Sequence, residues 1–153
     1  MTQYWLFKSE PDCFSIDDLA QQSAQTARWD GVRNFQARNF LRDNVTLGNW
    51  VFFYHSRCKA IGVVGIAEVT RAAYPDPQQF DPQSPYFDPK SDSDNPRWFC
   101  VDITLKRKFS HMVSLEQIKQ IQALDDMMLR KQGRLSIQPV SVHEWQIINQ
   151  LAT

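Results

Sequence analysis

Hydrophobic residues fall into short runs separated by polar and proline-containing stretches, and the spacing inside each run decides the element it predicts. YWLFKS (4–9), halted at Pro11, and NWVFFYHS (49–56) are aromatic-rich runs that predict strands. IGVVGIAEV (61–69) predicts a third, in which Gly62 and Gly65 mark a bulge, a tight corner or the close approach of another group. WFCVDITLK (98–106) alternates: Phe99, Val101, Ile103 and Leu105 share one face and Trp98, Cys100, Asp102 and Thr104 the other, so one face is expected to be buried. Ser15 with Asp18, Ser114 with Gln117 and Ser141 with Glu144 fit the reciprocal capping pattern that opens a helix. Residues 34–43 predict a further helix, with Ala37, Phe40 and Leu41 on its buried side, and Val142, Trp145, Ile148 and Leu151 form a stripe that pins the last helix to the sheet.

Six of the eight prolines lie between Pro75 and Pro96, among five aspartates, which excludes regular structure there. This stretch is a long excursion between two strands, and Tyr86 and Phe87 at its middle favour a path back over the body. Strands scattered among short helices predict an α+β domain whose strongly bent mixed sheet approaches a barrel. At 153 residues and 42% hydrophobic the chain supports one core, so a single domain over 1–153 is expected.

Charge changes the picture locally. Seventeen basic and seventeen acidic side chains cancel, so the chain lacks the field that attracts polyanions indiscriminately. Between residues 28 and 42, however, Arg28, Arg33, Arg38 and Arg42 oppose only Asp30. That patch suits a phosphate or is a solvated helix face, as Arg38 and Arg42 at four-residue spacing would also produce. Lys106, Arg107 and Lys108 are expected to end a strand in solvent. Cys13, Cys58 and Cys100 are widely spaced, and no basic, apolar leader opens the chain, so a reducing, cytoplasmic location is expected. No apolar run approaches the roughly 18 residues of a membrane helix, and no membrane contact is expected.

Catalytic signals are thin. There is no CxxC, HExxH, GxGxxG or phosphate loop, and His55, His111 and His143 lie far apart, so neither a metal nor a cofactor is expected. Cys58 near His55 and Ser9 beside Glu10 lack a recognisable third partner. What stands out is a set of ring faces beside groups that make planar hydrogen bonds: Trp29, Arg33, Asn34, Tyr54, His55, Ser56 and Trp98. A nucleobase suits them, because its flat faces stack for about 1–3 kcal/mol each and its edge can match an amide or guanidinium. Trp5, Trp50 and Trp145 are expected in the core, with Val51 and Phe53. Trp29 stands between packing and ligand contact, since it precedes the Asp30–Gly31 turn and a helix N-terminus.

The blocks YWLFKSEP (4–11), WDGVRNFQARNFLR (29–42), VFFYHS (51–56), IGVVGIAEV (61–69), YPDPQQFDPQSPYFDPKS (74–91) and LSIQPVSVHEW (135–145), in this order and spacing, resemble the EVE domain family along nearly the whole chain. The resemblance implies a PUA-like pseudobarrel with flanking short helices and kinship to modified-base readers such as the YTH domain. It also implies a non-catalytic function, binding a modified nucleobase of DNA or RNA in an aromatic-lined pocket. Carried onto this chain, the motifs are Lys8, Ser9 and Glu10 in the KSEP turn, Trp29, Val32, Arg33 and Asn34 in the tryptophan segment, Tyr54, His55 and Ser56 at a strand end, and Gln138 and Pro139 in SIQP; these are expected to converge on one cavity. Trp29 and a second ring, Tyr54 or Trp98, would sandwich the base. Asn34, Ser56 and backbone groups near Lys8 to Glu10 would read its edge, and Arg33 would hold the loop or a phosphate. Phe35 stands where the family commonly has tyrosine, so a phenolic hydrogen bond is lost there. The competing expectation is an enzyme on a nucleotide-like substrate, with His55 as general acid or base near Cys58 or Glu10.

Overall fold

A computed structural model describes residues 3–153. Its strands are β1 (Tyr4–Ser9), β2 (Thr26–Trp29), β3 (Trp50–His55), β4 (Gly62–Pro75), β5 (Phe99–Ser114) and β6 (Ile137–Val140). They form one sheet in the order β2-β5-β4-β3-β1-β6, in which β1 runs parallel to β3 and every other pair is antiparallel. The sheet ends at β2 and β6 and does not close into a barrel. Helices α1 (Ile16–Gln21), α2 (Phe35–Asp43), α3 (Leu115–Lys119), α4 (Met128–Lys131) and α5 (Val142–Leu151) flank it. This is the α+β, PUA-like architecture the sequence predicts. Among the described residues no helix is long and apolar enough to cross a membrane.

Alternation along the central strands feeds two cores, one on each face. Trp5, Phe7, Val51 and Phe53 join Trp29, Ala37, Leu41, Val101 and Ile103 on one side. Leu6, Phe52 and Tyr54 join Val63, Ile118 and Ile148 on the other. Burial on both faces is why β1 and β3 read as continuous apolar runs. Trp5 is fully buried and its indole N–H donates to Asn49 Oδ1 at 3.0 Å. Trp50 and Trp145 are half-buried on the second core, where Trp145 stacks on Phe52 at 3.9 Å.

Ser15, Ser114 and Ser141 each complete a capping box, and Asn34 Oδ1 accepts from Ala37 N at 2.9 Å to cap α2. Ala37 and Leu41 are the buried side of α2, as its spacing predicts, whereas Val142 at the start of α5 is exposed. Both long strands outrun the sequence pattern. Their pairing slips between Val63 and Gly65, Ile66 and Ala67, Val69 and Arg71, and Arg71 and Tyr74, and each slip breaks the two-residue alternation that defines a strand in sequence. Lys106, Arg107 and Lys108 therefore reach solvent from the middle of β5 rather than from its end. Gly65 is a close-approach position: a Cβ there would lie 2.3 Å from Ile16 Cδ1 and 2.4 Å from Arg107 O, so its absence lets the start of α1 dock on the sheet.

The proline-rich excursion is irregular yet fixed by polar groups. The buried Gln79 amide donates to the carbonyls of Asp76 (2.7 Å) and Trp98 (2.9 Å) and accepts from Ser91 Oγ and from the N–H groups of Arg97 and Trp98. A buried amide with donor and acceptor sides both satisfied replaces the ladder that proline forbids.

Candidate functional site

The parallel pair sets the site, because the carboxyl ends of β1 and β3 lie side by side. Lys8 N donates to Ser136 O at 2.9 Å, and Ser56 N donates to Ser9 O at 2.9 Å. The KSEP turn, the residue after β3 and the approach to β6 are thereby drawn to one end of the sheet. A cavity of about 830 Å³ opens there, with Lys8, Ser9, Glu10 and Ser56 on one side and Trp29, Val32, Arg33 and Asn34 on the other. Its volume falls in the range of small-molecule and cofactor sites.

The loop after β2 is held from below. Gly31 has φ +78° and its N–H donates to Asp76 Oδ2 at 2.8 Å. The same oxygen accepts from Arg33 Nη1 at 3.0 Å, and Asp76 Oδ1 accepts from Gln78 N at 2.8 Å. Arg33 Nε and Nη2 donate to Tyr86 O at 3.2 and 2.9 Å, so all three guanidinium nitrogens bond within the protein and Arg33 holds the loop. Trp98 lies under this loop, 5% exposed, with its indole N–H donating to Asp88 Oδ2 at 2.7 Å.

Trp29 is 7% exposed and belongs mostly to the core. It meets Phe53 edge-on at 5.3 Å and lies tilted against Phe7 at 5.4 Å, which leaves only a margin of the ring to the cavity. Neither candidate for a second ring reaches it. Tyr54 is buried in the opposite core, where desolvation pushes its phenol up to about 12, and Trp98 stacks under Phe35. The other rings that line the cavity are Phe14 and Tyr86.

His55 also turns away. Its Nε2 accepts from Ile16 N at 3.1 Å, its ring meets Phe53 edge-on at 5.6 Å, and burial lowers its pKa. Cys58 Sγ donates to Ala60 O. Neither lines the cavity, and no hydrogen bond joins His55 to Cys58 or Glu10 among the described residues. Gln138 is buried in β6 and Pro139 pairs opposite Trp5. The Gln138 amide donates to Gln132 O and Leu135 O, which shapes the turn that carries Gly133, Arg134 and Ser136 into the cavity wall.

Residues 3–151 match the EVE domain. The chain belongs to the EVE domain family. Thymocyte nuclear protein 1 of Mus musculus is 42% identical over 165 residues, covering 97% of this chain and 73% of that protein. A solved protein from Pseudomonas putida is 47% identical, with a TM-score of 0.93 over 98% of this chain and 99% of that one. The human THYN1 protein in complex with 5-methylcytosine-containing DNA is 40% identical, with a TM-score of 0.95 over 99% of this chain and 98% of that one.

The cavity of this EVE domain is more cationic than its motifs suggest. Lys8, Arg28, Arg33, Arg57 and Arg134 line it against Glu10 and Asp30. Arg28 pairs with Asp30 at 2.7 Å, Arg33 with the buried Asp76, and Lys8 Nζ donates to Gly133 O at 2.6 Å while burial lowers its pKa. Arg57 and Arg134 pair with no carboxylate among the described residues and leave a positive rim. Arg57 has φ +51°, a left-handed conformation that costs a non-glycine residue about 1–2 kcal/mol. Arg57, Arg134 and Tyr86 were not among the residues that the sequence reading assigned to the site, although Arg57 directly follows the YHS strand end, Arg134 directly precedes the LSIQP stretch and Tyr86 lies within the proline-rich excursion. Among the described residues no group of three His, Cys, Asp or Glu side chains could hold a metal ion.

Proposed function

We propose that the cavity binds a modified nucleobase of DNA or RNA and performs no chemistry on it. The observation that carries this reading is the human relative, superposable along nearly the whole chain, that is solved with 5-methylcytosine-containing DNA. The cavity supports it with matching groups. Tyr86 and the margin of Trp29 offer ring surface, and Asn34, whose Oδ1 caps α2, keeps an amide N–H₂ with no hydrogen bond among the described residues for the edge of a base. Ser56 and the backbone beside Ser9 face the same space, and Arg57 and Arg134 supply cations where a phosphate would enter. The partner is thus a nucleic acid, recognised locally by a chain of zero net charge. Three free thiols support a reducing compartment, and we place the protein in the cytoplasm on that ground.

The test is titration with 5-methyl-2′-deoxycytidine, 5-methylcytidine and DNA and RNA oligonucleotides that carry one 5-methylcytosine or none. Modified ligands bind more tightly than unmodified ones, and the nucleoside is recovered unchanged in mass after prolonged incubation. Tyr86→Leu weakens nucleoside binding by about 5- to 150-fold, the worth of one stacked face. Equal affinity for modified and unmodified ligands overturns the reading.

A further inference from the structure

Phe35 is the first residue of α2 and directly follows Asn34, which lines the cavity, yet the residue is 53% exposed. Its inner face stacks on Trp98 with centroids 4.8 Å apart and planes 26° from parallel. Trp98 is itself fixed, by Asp88 at its indole N–H and by the Arg33 guanidinium 5.3 Å from its ring centre. The outer face of Phe35 stays open. Arg38 Cζ lies 4.9 Å from the Phe35 centre and 5.9 Å from the Trp98 centre, so it sits beside the two-ring stack; over the outer face it would be farther from Trp98 by about a whole stacking distance. Arg38 is steadied there by donating to Arg97 O at 2.6 Å, and it pairs with no carboxylate among the described residues. A flat, rigid ring with a cation at its edge therefore lies one residue along the chain from the cavity-lining Asn34.

We infer that Phe35 is a stacking platform for the nucleobase next to the bound one in the same strand. This rests on the reading of the cavity as a base site. Two features select the occupant. Asn34 and Phe35 are consecutive, so a strand leaving the cavity past Asn34 meets the ring at the adjoining nucleotide. The unpaired Arg38 guanidinium at the ring edge complements the phosphate that joins the two nucleotides, which an apolar peptide would lack. The base that a duplex leaves unpaired belongs to the other strand and is not required.

The test compares the wild-type chain with Phe35→Ala and Phe35→Tyr, using 5-methyl-2′-deoxycytidine, a single-stranded trinucleotide with central 5-methylcytosine, and a duplex carrying the same base. The wild type binds the trinucleotide more tightly than the nucleoside. Phe35→Ala weakens the trinucleotide by about 5- to 150-fold and leaves the nucleoside unchanged, whereas Phe35→Tyr retains both affinities. A 2-aminopurine beside the 5-methylcytosine loses fluorescence on binding to the wild type and not to Phe35→Ala. The inference is overturned if Phe35→Ala weakens neither ligand, weakens both equally, or weakens only the duplex. It is overturned too if the substitution changes self-association of the chain and no nucleic-acid affinity. A wild-type chain that binds neither ligand overturns the cavity reading and the inference with it, whereas nucleoside binding by the wild type together with an unweakened trinucleotide in Phe35→Ala overturns the inference alone.

Discussion

The buried carboxylate of Asp76 accepts a hydrogen bond from the Gly31 N–H at 2.8 Å and thereby ties the cavity loop to the proline-rich excursion. The same group holds Arg33 Nη1 and Gln78 N, and its side chain has no exposed surface. Asp76→Ala leaves these donors without their acceptor beneath the loop, and breaking a buried pair in this way costs about 3–5 kcal/mol. Urea denaturation reads that loss as a lower midpoint, and a midpoint equal to the parent's would refute the role. Asp76→Asn retains an acceptor oxygen and loses less.

Gly31 is constrained twice. Its φ of +78° costs any other residue about 1–2 kcal/mol, and a Cβ there would lie 2.9 Å from Tyr86 Cζ. Gly31→Ala is therefore destabilising and also displaces the ring that we assign to the base. In a Tyr86→Ala background the collision is gone and only the backbone cost persists, so the penalty of Gly31→Ala shrinks. A double-mutant cycle in thermal unfolding checks this, and a penalty of equal size in both backgrounds would show that the ring yields freely.

Much of the frame was legible because local rules were sufficient for it. Ser15, Ser114, Ser141 and Asn34 announce their helices by a side chain that can reach a backbone N–H three residues ahead, and each does so. Lys8, Ser9, Trp29, Asn34 and Ser56 meet at one cavity, as their motifs imply. Other assignments depended on three-dimensional facts. Tyr54 sits one position from His55 and Phe53, and that parity alone sends its ring into the opposite core. Trp29 could be packing or pocket in sequence, and three neighbouring aromatic rings decide mostly for packing. Its consequence is practical: Trp29→Ala removes a core ring at about 3–5 kcal/mol, so lost binding in that variant would not identify a base contact. Asp76 lay in a stretch whose prolines signal only irregularity, and nothing local marks it as the acceptor for Gly31.

His55 makes stability depend on pH. To accept from Ile16 N its Nε2 must be unprotonated, and burial lowers its pKa from the usual value of about 6.5, with Lys108 acting in the same direction and Asp17 and Asp18 opposing. As pH falls, the unfolded chain takes up this proton before the folded chain does. The contribution is constant well above pH 6.5, diminishes as pH drops through that value, and is fully lost below the folded pKa. Chemical denaturation between pH 8 and 5 gives a steeper decline for the wild type than for His55→Gln, whose amide oxygen can still accept from Ile16 N. Parallel declines would remove His55 as the cause.

Arg57 separates stability from polymer binding in one substitution. Its left-handed φ of +51° is a conformation glycine adopts freely, so Arg57→Gly relieves strain and leaves the melting temperature unchanged or higher, despite the lost side chain. Its guanidinium pairs with no carboxylate among the described residues and stands at the cavity rim. If it meets a phosphate, removing it lowers affinity for a 5-methylcytosine oligonucleotide and reduces the dependence of log K on log salt by about 0.7 for a single strand or 0.9 for a duplex. Binding of 5-methyl-2′-deoxycytidine, which has no phosphate, stays the same. Arg134→Gln behaves alike in binding but gains no stability, because no backbone strain is released there. A salt dependence identical to the parent's in both variants would exclude these arginines from the path of the nucleic-acid backbone, whatever the cavity holds.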